Sequence, residues 1–205
     1  TSETDFVAKT DEFARLAEEL AAHVAEHAPT SVDELLGQEL AGGRPIAQTI
    51  KEMSGKMGEN MQVAGMARFA NPAGRVGAYI HHDQKQGALI SITSDRPVEE
   101  VDAFLRTLAM HVVARKPSAL TREEISQAEV ERERKVYLES EEVLAKPEDK
   151  REFIVKGKLE KYFAGAALLE QPGVLDDKLS VKKALAQTLG GEARVEGFAL
   201  CVTSA

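Results

Sequence analysis

Apolar positions along the chain change period several times, and the changes divide it. Leu16, Leu20, His23 and His27 share one face of a 3.6-residue period. Thr10 stands as N-cap with Asp11 and Glu12 in the first turn, and Pro29 discourages continuation past about Ala28. Ser31-Val32-Asp33-Glu34 is a capping-box pattern that opens a shorter helix, and Gly42-Gly43 is expected to end it. Pro45 starts a third helix, with Ile46, Ile50, Met53 and Met57 in phase. After Gly58 the period drops to two. Met61, Val63, Gly65, Ala67 and Phe69 alternate, as do Val76, Ala78 and Ile80, and then Ala88, Ile90 and Ile92, which predicts strands. His82 to Gly87 reads as a polar hairpin loop. Pro97 opens a helix running to about Ala114, stopped before Pro117.

From Thr121 to Lys161 the texture shifts, with 12 acidic and 10 basic residues. Thr121-Arg122-Glu123-Glu124 is expected to cap a long helix, and Pro147 to restart a second after a break near Ala145-Lys146. Val155, Leu159, Tyr162 and Ala166 make one narrow apolar stripe. Two adjacent charged helices with a thin stripe predict a coiled-coil-like hairpin projecting into solvent. Ser180 to Leu189 reads as a helix stopped by Gly190-Gly191, and Phe198, Leu200 and Val202 alternate on a final strand.

A faint repeat joins the two apolar halves. Ala22-His23-Val24-Ala25 has Pro29 six residues after its His; Met110-His111-Val112-Val113 has Pro117 six after its own. The fold class expected is therefore α+β: two related subdomains of helices packed on small antiparallel sheets, with an inserted helical hairpin. The division expected is 1–72 for the first subdomain, 73–120 with 168–205 for the second, and 121–167 for the hairpin.

Composition narrows the function classes. Of 205 residues, 43% are apolar and 29% charged, ordinary for a packed domain and unlike a disordered chain. No apolar run approaches a membrane span, and no signal peptide opens the chain. The chain begins at Thr1 without a Met, and reads as the middle of something longer. A net charge of −8 argues against sequence-blind nucleic-acid binding, and 5% aromatic residues without Trp argue against base-stacking platforms. The single cysteine, Cys201, excludes an internal disulfide and points to a reducing compartment. Alternating with Leu200 and Val202, it is expected to be a buried structural thiol.

Candidate chemistry is sparse. His23-Val24-Ala25-Glu26-His27 matches the inverted zinc-hydrolase pattern, in which two His at i and i+4 can grip one zinc and the Glu can act as base. The plain reading is two His interacting with a helix C-terminal dipole. The repeat copy has Ala114 and Arg115 at the corresponding offsets, which favours the plain reading. His81 and His82 are adjacent on a strand end and point to opposite faces, which suits a surface contact or a plain loop better than a metal pair. There is no phosphate-binding G-x-x-x-x-G-K-[ST] and no G-x-G-x-x-G. Asp5 and Phe6 precede the Thr10 cap and so fall on a turn before the helix, where a Phe can be presented outward as an interaction anchor or can simply join the apolar face.

Thr4-Asp5-Phe6-Val7 resembles the T-D-F-V signature of the elongation factor Ts family. Lys56-Met57-Gly58-Glu59-Asn60 resembles its K-[IM]-G-E-N turn, and Ala109-Met110-His111 with Lys116-Pro117 its A-M-H…K-P helix end. Gly157-Lys158-Leu159-Glu160-Lys161-Tyr162 is similar to its E-G-R-[LM]-x-K-[YF] helix, and Leu169-Glu170-Gln171-Pro172 to its L-x-Q-P turn. The five motifs stand in family order over nearly the whole chain. The resemblance implies a nucleotide-exchange factor for elongation factor Tu, without bond chemistry or cofactor, in the bacterial cytoplasm or, secondarily, an organellar matrix. It implies partner-binding roles for Thr4, Asp5, Phe6 and Val7, with Phe6 wedging near the partner's magnesium site and Met57 and Gly58 as supporting contacts. His81, in Tyr79-Ile80-His81, matches a contact with the partner's third domain. The family's N-terminal helical module, with its T-G-A-G-M-x-D-[CV]-K motif, has no counterpart here. The alternatives are a partner-binding or dimerisation module without exchange activity and, more remotely, a zinc hydrolase through His23, Glu26 and His27. A homodimer stays open; direct nucleic-acid and membrane contacts are not expected.

Overall fold

The computed structural model describes residues 1–173 and 177–203. The chain divides into two compact units, the first comprising residues 1–70 with the short stretch 82–86 and the residues from Cys201 onward, the second residues 71–81 and 87–200.

In the first unit, α1 (Asp5–Ala8) is a single turn and α2 (Asp11–His27) a long amphipathic helix. Thr10 caps α2 as its sequence predicts: its hydroxyl accepts from the Phe13 amide. The chain leaves α2 through Ala28 in the left-handed region at φ 52°, immediately before Pro29. Ser31 caps α3 (Val32–Leu36). The Glu34 carboxylate reaches back to the Thr30 amide and hydroxyl, at 2.7 and 2.6 Å, a capping box shifted by one residue. Those bonds hold the Glu34 carboxyl below its usual range, the Thr30 hydroxyl contributing most.

The expected end of α3 is corrected. The helix stops at Gly37, and Gly42-Gly43 instead turns a small hairpin of β1 (Glu39–Leu40) and β2 (Arg44–Pro45). Both glycines have positive φ, 84° and 72°, as the tight reversal between β1 and β2 requires. Pro45 then leads into α4 (Ile46–Met57), which Gly58 terminates at φ 73°. Leu16, Val24, Leu35, Leu40, Ile46, Ile50 and Met61 form the first core with Val7.

The strand expected over 61–69 is also corrected. Residues 59–71 form no ladder. Apart from the Gly74 amide donating to the Asn71 carbonyl, their backbone pairing among the described residues is one exchange in which the Gln62 amide donates to the Thr1 carbonyl and the Thr1 ammonium donates to the Gln62 carbonyl. Alternation supplies a two-sided ribbon, but a strand also needs a neighbour to accept its amides. Here Met61, Val63 and Met66 pack on the first core without one.

The second unit holds β3 (Arg75–Ile80), β4 (Gln86–Thr93) and α5 (Val98–Arg115). A 3-10 turn (Arg122–Glu124) follows, then α6 (Gln127–Glu139), α7 (Glu141–Leu144), α8 (Glu148–Ala166), α9 (Val181–Leu189) and β5 (Arg194–Val202). The sheet has the order β3-β4-β5, with β3 and β4 antiparallel from Arg75↔Ile92 to Ile80↔Gly87. The buried side of β4 (Ala88, Ile90, Ile92) meets Val101, Leu105, Leu108 and Val112 of α5 and Leu185 of α9. The apolar side chains Val76 and Ile80 of β3 point the other way and are exposed. Gly77 gives β3 its close approach to α5: a Cβ there would lie 2.7 Å from Leu105 Cβ.

Thr121 does not cap a long helix. It precedes the 3-10 turn, and Ser126 caps α6 by accepting from the Glu129 amide. Polar residues abound on this segment, so several could serve as the cap, and the hydroxyl that meets a free amide wins. The break before α8 is wider than expected, since α6 already ends at Glu139 and the one-turn α7 intervenes. α6 and α8 pack as an antiparallel pair tied by Arg134–Glu152 and by the Tyr162 hydroxyl donating to Glu129, at 2.7 and 2.6 Å. These elements make an α+β protein with two small antiparallel sheets among the described residues.

The repeat hinted at by His23 and His111 is structural. Each histidine sits near the end of a helix, five residues before a left-handed residue (Ala28, Lys116). Each has Nε2 2.7 Å from a glutamine Oε1, on Gln38 and on Gln171. Each glutamine closes the sequence Leu-Leu-x-Gln, whose first leucine, Leu35 or Leu168, is buried. Its carbonyl accepts the first amide of the following helix, from Ile46 or Val181.

Candidate partner-binding surface

The segment Thr4–Val7 is built to hold one aromatic ring outside the core. Consecutive helical residues point about 100° apart, so anchoring one fixes the direction of the next. Val7 is 7% exposed and lies in the first core, while Phe6, one step back on α1, is 87% exposed. The Val7 carbonyl accepts from both the Thr10 amide and the Thr10 hydroxyl, at 3.0 and 2.8 Å, which ties α1 to the start of α2.

Thr4 is the N-cap residue of α1, yet its hydroxyl makes no cap bond. It donates to Glu59 Oε1 instead, and the Thr4 amide donates to Glu59 Oε2 at 3.0 Å. Glu59 belongs to the Lys56–Asn60 turn. Gly58 ends α4 there in the left-handed region, its amide donating to the Ser54 carbonyl. Lys56 pairs with Glu12 of α2 at 2.5 Å and holds that carboxyl below its usual range. Met57 is half-buried against the first core. Asp5 pairs with Lys85 Nζ at 3.0 Å. The Lys85 carbonyl accepts from the Thr203 amide and hydroxyl, at 2.9 and 3.2 Å. The turn carrying Phe6 is thus tied at Thr4, Asp5 and Val7 to three separate stretches of chain.

Thr4, Asp5, Phe6, Val7, Met57 and Gly58 all lie in the first unit. His81 lies in the second, half-buried, with Nδ1 3.0 Å from the Tyr79 hydroxyl. The sequence alone does not single out Glu59 or Lys85. Glu59 stands inside a recognisable motif, but nothing local reveals that its acceptors serve a residue 55 positions earlier.

The histidine pair reads as structure. His23 is 6% exposed, bonded to Gln38, and stacked on His27 with ring centroids 4.1 Å apart. His27 Nδ1 lies 3.2 Å from the His23 carbonyl, and Glu26 points into solvent. Among the described residues no group of three or more His, Cys, Asp or Glu side chains is placed to hold a metal. Cys201 is a correction. It is exposed, since alternation turns it to the side of β5 opposite to Leu200, which packs on the second core. No helix among the described residues is long and apolar enough to cross a membrane.

The turn thus presents one exposed aromatic, Phe6, on a fastened base. Comparison with known proteins gives the chain a class, the translation elongation factors. The family model described as Elongation factor TS matches residues 3–202. The elongation factor Ts of Trichlorobacter lovleyi is 35% identical over 207 residues, covering 97% of this chain and 67% of that protein. That of Hydrogenovibrio crunogenus is 36% identical, covering 89% and 60%, and that of Salinispora tropica 37%, covering 90% and 67%. This chain belongs to the elongation factor Ts family. It spans about two thirds or less of the length of these curated relatives.

Proposed function

We propose that the chain is a guanine-nucleotide exchange factor for elongation factor Tu, and that it promotes GDP release by inserting the Asp5-Phe6 turn beside the partner's magnesium site. The observation that carries this reading is Phe6, 87% exposed on a turn that three ties keep from collapsing onto the core. Burying a Phe that a protein keeps in water supplies about 2 kcal/mol or more to whatever complex covers it.

The logic is linkage. A protein that binds nucleotide-free partner more tightly than nucleotide-bound partner must weaken nucleotide affinity by the same factor. A wedge that fits only the partner with its magnesium displaced provides that difference. Binding elsewhere, at Met57 and Gly58 and through His81 of the second unit, supports the distortion. No bond is made or broken, so the chain acts as a binding protein and not as an enzyme, and the bacterial cytoplasm is the compartment that suits it. The division into 1–72, 73–120 with 168–205, and the hairpin 121–167 is carried as part of the same proposal, with the second subdomain gripping the partner's third domain.

The test is stopped-flow release of a fluorescent GDP analogue from elongation factor Tu. The chain is expected to accelerate release, and Phe6→Ala to reduce the effect by on the order of 30-fold. Acceleration by Phe6→Ala equal to the parent's would sink the wedge. Tight binding of the parent with no acceleration at all would leave a partner-binding module without exchange.

A further inference from the structure

The family resemblance groups Thr4 with Asp5 and Phe6 as one contact surface. The hydrogen bonds separate them. An N-cap threonine ordinarily turns its hydroxyl onto the amides of its own helix. Thr4 forgoes that and gives both its amide and its hydroxyl to the two oxygens of Glu59. A carboxylate that accepts from two donors on one residue fixes that residue in direction as well as distance, as bonds to charged acceptors are the stronger kind. Glu59 itself sits on a fixed base. It follows Gly58, which closes α4, and precedes Met61, which is 7% exposed and donates its amide to Ser54 Oγ at 3.1 Å.

We infer that Thr4 and Glu59 are a positioning pair: they set the attitude of the turn that presents Phe6, and neither is itself a contact to the partner. The inference rests on the exchange reading for its consequence and on the Thr4–Glu59 geometry for its substance. α1 has only four residues, too short to hold itself in water. Val7 anchors its inner side, and Asp5 adds a solvent-exposed ion pair with Lys85, which holds less firmly than a bond to a fixed turn. The Glu59 clamp lies on the other side of Phe6 in sequence, so Phe6 is held between two fixed points. A preorganised anchor loses less freedom on binding, and the saving appears in affinity for the state that the anchor enters. The two family motifs, 55 residues apart at Thr4 and Glu59, then form one device.

The test has one arm that needs no partner. Thr4→Val keeps the shape and removes the hydroxyl, Thr4→Ser restores it, and Glu59→Ala removes both acceptors. Hydrogen exchange of the Ala8 and Thr10 amides, which donate to the Thr4 and Val7 carbonyls, is expected to accelerate about 5-fold or more in Thr4→Val and Glu59→Ala in the free chain, and to stay near the parent in Thr4→Ser. Unchanged exchange in both overturns the pair. The second arm reads GDP release from elongation factor Tu across a titration of each variant, with Phe6→Ala as reference. Thr4→Val and Glu59→Ala are expected to lower release about 5-fold each, and the double variant to lose no more than the worse single one, as for residues that act as one unit. Losses that multiply in the double variant, or a Thr4→Ser as poor as Thr4→Val, mean independent contacts and overturn the inference. A parent that does not accelerate release defeats the exchange reading alone, and the hydrogen-exchange arm still decides the pair.

Discussion

His111 and Gln171 are 60 residues apart in sequence and 2.7 Å apart between Nε2 and Oε1; His23 and Gln38 make the same bond, at the same distance, across 15 residues. The difference in spacing is the α6–α8 hairpin, which enters the second copy between its histidine and its glutamine. A long helix, a left-handed exit before proline, a Leu-Leu-x-Gln turn and a following helix are the shared frame. The glutamine is its keystone, because its side chain meets the helix that ends and its main-chain carbonyl the helix that begins.

The two glutamines differ in burial, and the difference predicts their energetics. Gln171 is 2% exposed, with Oε1 on His111 and Nε2 donating to the Gly165 carbonyl at 2.5 Å. Gln38 is only half-buried. Gln171→Leu leaves the imidazole and the carbonyl without partners and is expected to cost about 2–3 kcal/mol in urea unfolding. Gln38→Leu, where water can replace the lost bond, is expected to cost about 1 kcal/mol. Equal losses would contradict the burial argument.

His111 also gives stability a pH dependence. Burial pushes its pKa below the ordinary imidazole value; nearby Arg115 acts the same way, and the Gln171 bond opposes them. The folded state therefore binds fewer protons than the unfolded chain in this range. The contribution is complete above the unfolded value of about 6.5 and is lost as pH falls toward the lower folded value. The melting temperature of the parent is expected to fall between about pH 7.5 and 5.5, and that slope to flatten in His111→Gln, measured by circular dichroism.

Which parts of this were legible in the sequence follows from the range of the forces involved. α2, α4, α5 and α9 follow from apolar phase with caps at Thr10 and Ser180 or prolines at 45 and 97, all signals within a few residues. Two errors are local, Gly42-Gly43 and the Thr121 cap, where neighbouring residues offered more than one turn or cap; the others fall where a partner lies far along the chain. Residues 61–69 alternate like a strand but have no neighbour to pair with, and Cys201 shares a strand with Leu200 and Val202 yet is exposed. Of the candidate surface, the Thr10 cap places Phe6 on a turn before the helix but leaves open whether the ring turns outward or joins the apolar face; the structure has it outward. The Glu59 and Lys85 ties do not follow from local sequence, because a carboxylate or ammonium in a loop carries no mark of its donor or acceptor.

Gly77 tests the packing between sheet and helix. A methyl there would meet Leu105 Cβ at 2.7 Å, and Leu105 is 1% exposed within the second core. Gly77→Ala is expected to destabilise the chain by about 1–3 kcal/mol through forced displacement of α5 from β3. A methyl added at Gly55, on α4, would meet nothing within 4 Å, so Gly55→Ala is expected to stabilise by about 1 kcal/mol from helix propensity. Thermal unfolding of the two variants should move in opposite directions.

The base of the hairpin depends on Arg122. Its guanidinium meets Glu170 through two parallel bonds of 2.6 and 2.5 Å, reaches Glu160 of α8 at 3.1 Å, and lies 4.7 Å over the Phe163 ring. One planar cation thus joins the turn before α6 to the end of α8 and to the residue before Gln171. Lysine has neither the fork for the carboxylate nor the flat face for the ring. Arg122→Lys is expected to recover little of the loss in Arg122→Ala, which should be about 1–2 kcal/mol because the group is partly solvated. The Arg122 bonds hold the Glu170 carboxyl below its usual range. Their contribution is therefore present above the unfolded carboxylate value of about 4.3 and is lost as pH falls through the lower folded one. Urea unfolding at about pH 7 and about pH 3 should show the gap between parent and Arg122→Ala narrower at the second than at the first. A gap that persists undiminished in acid would assign the effect to stacking on Phe163 instead.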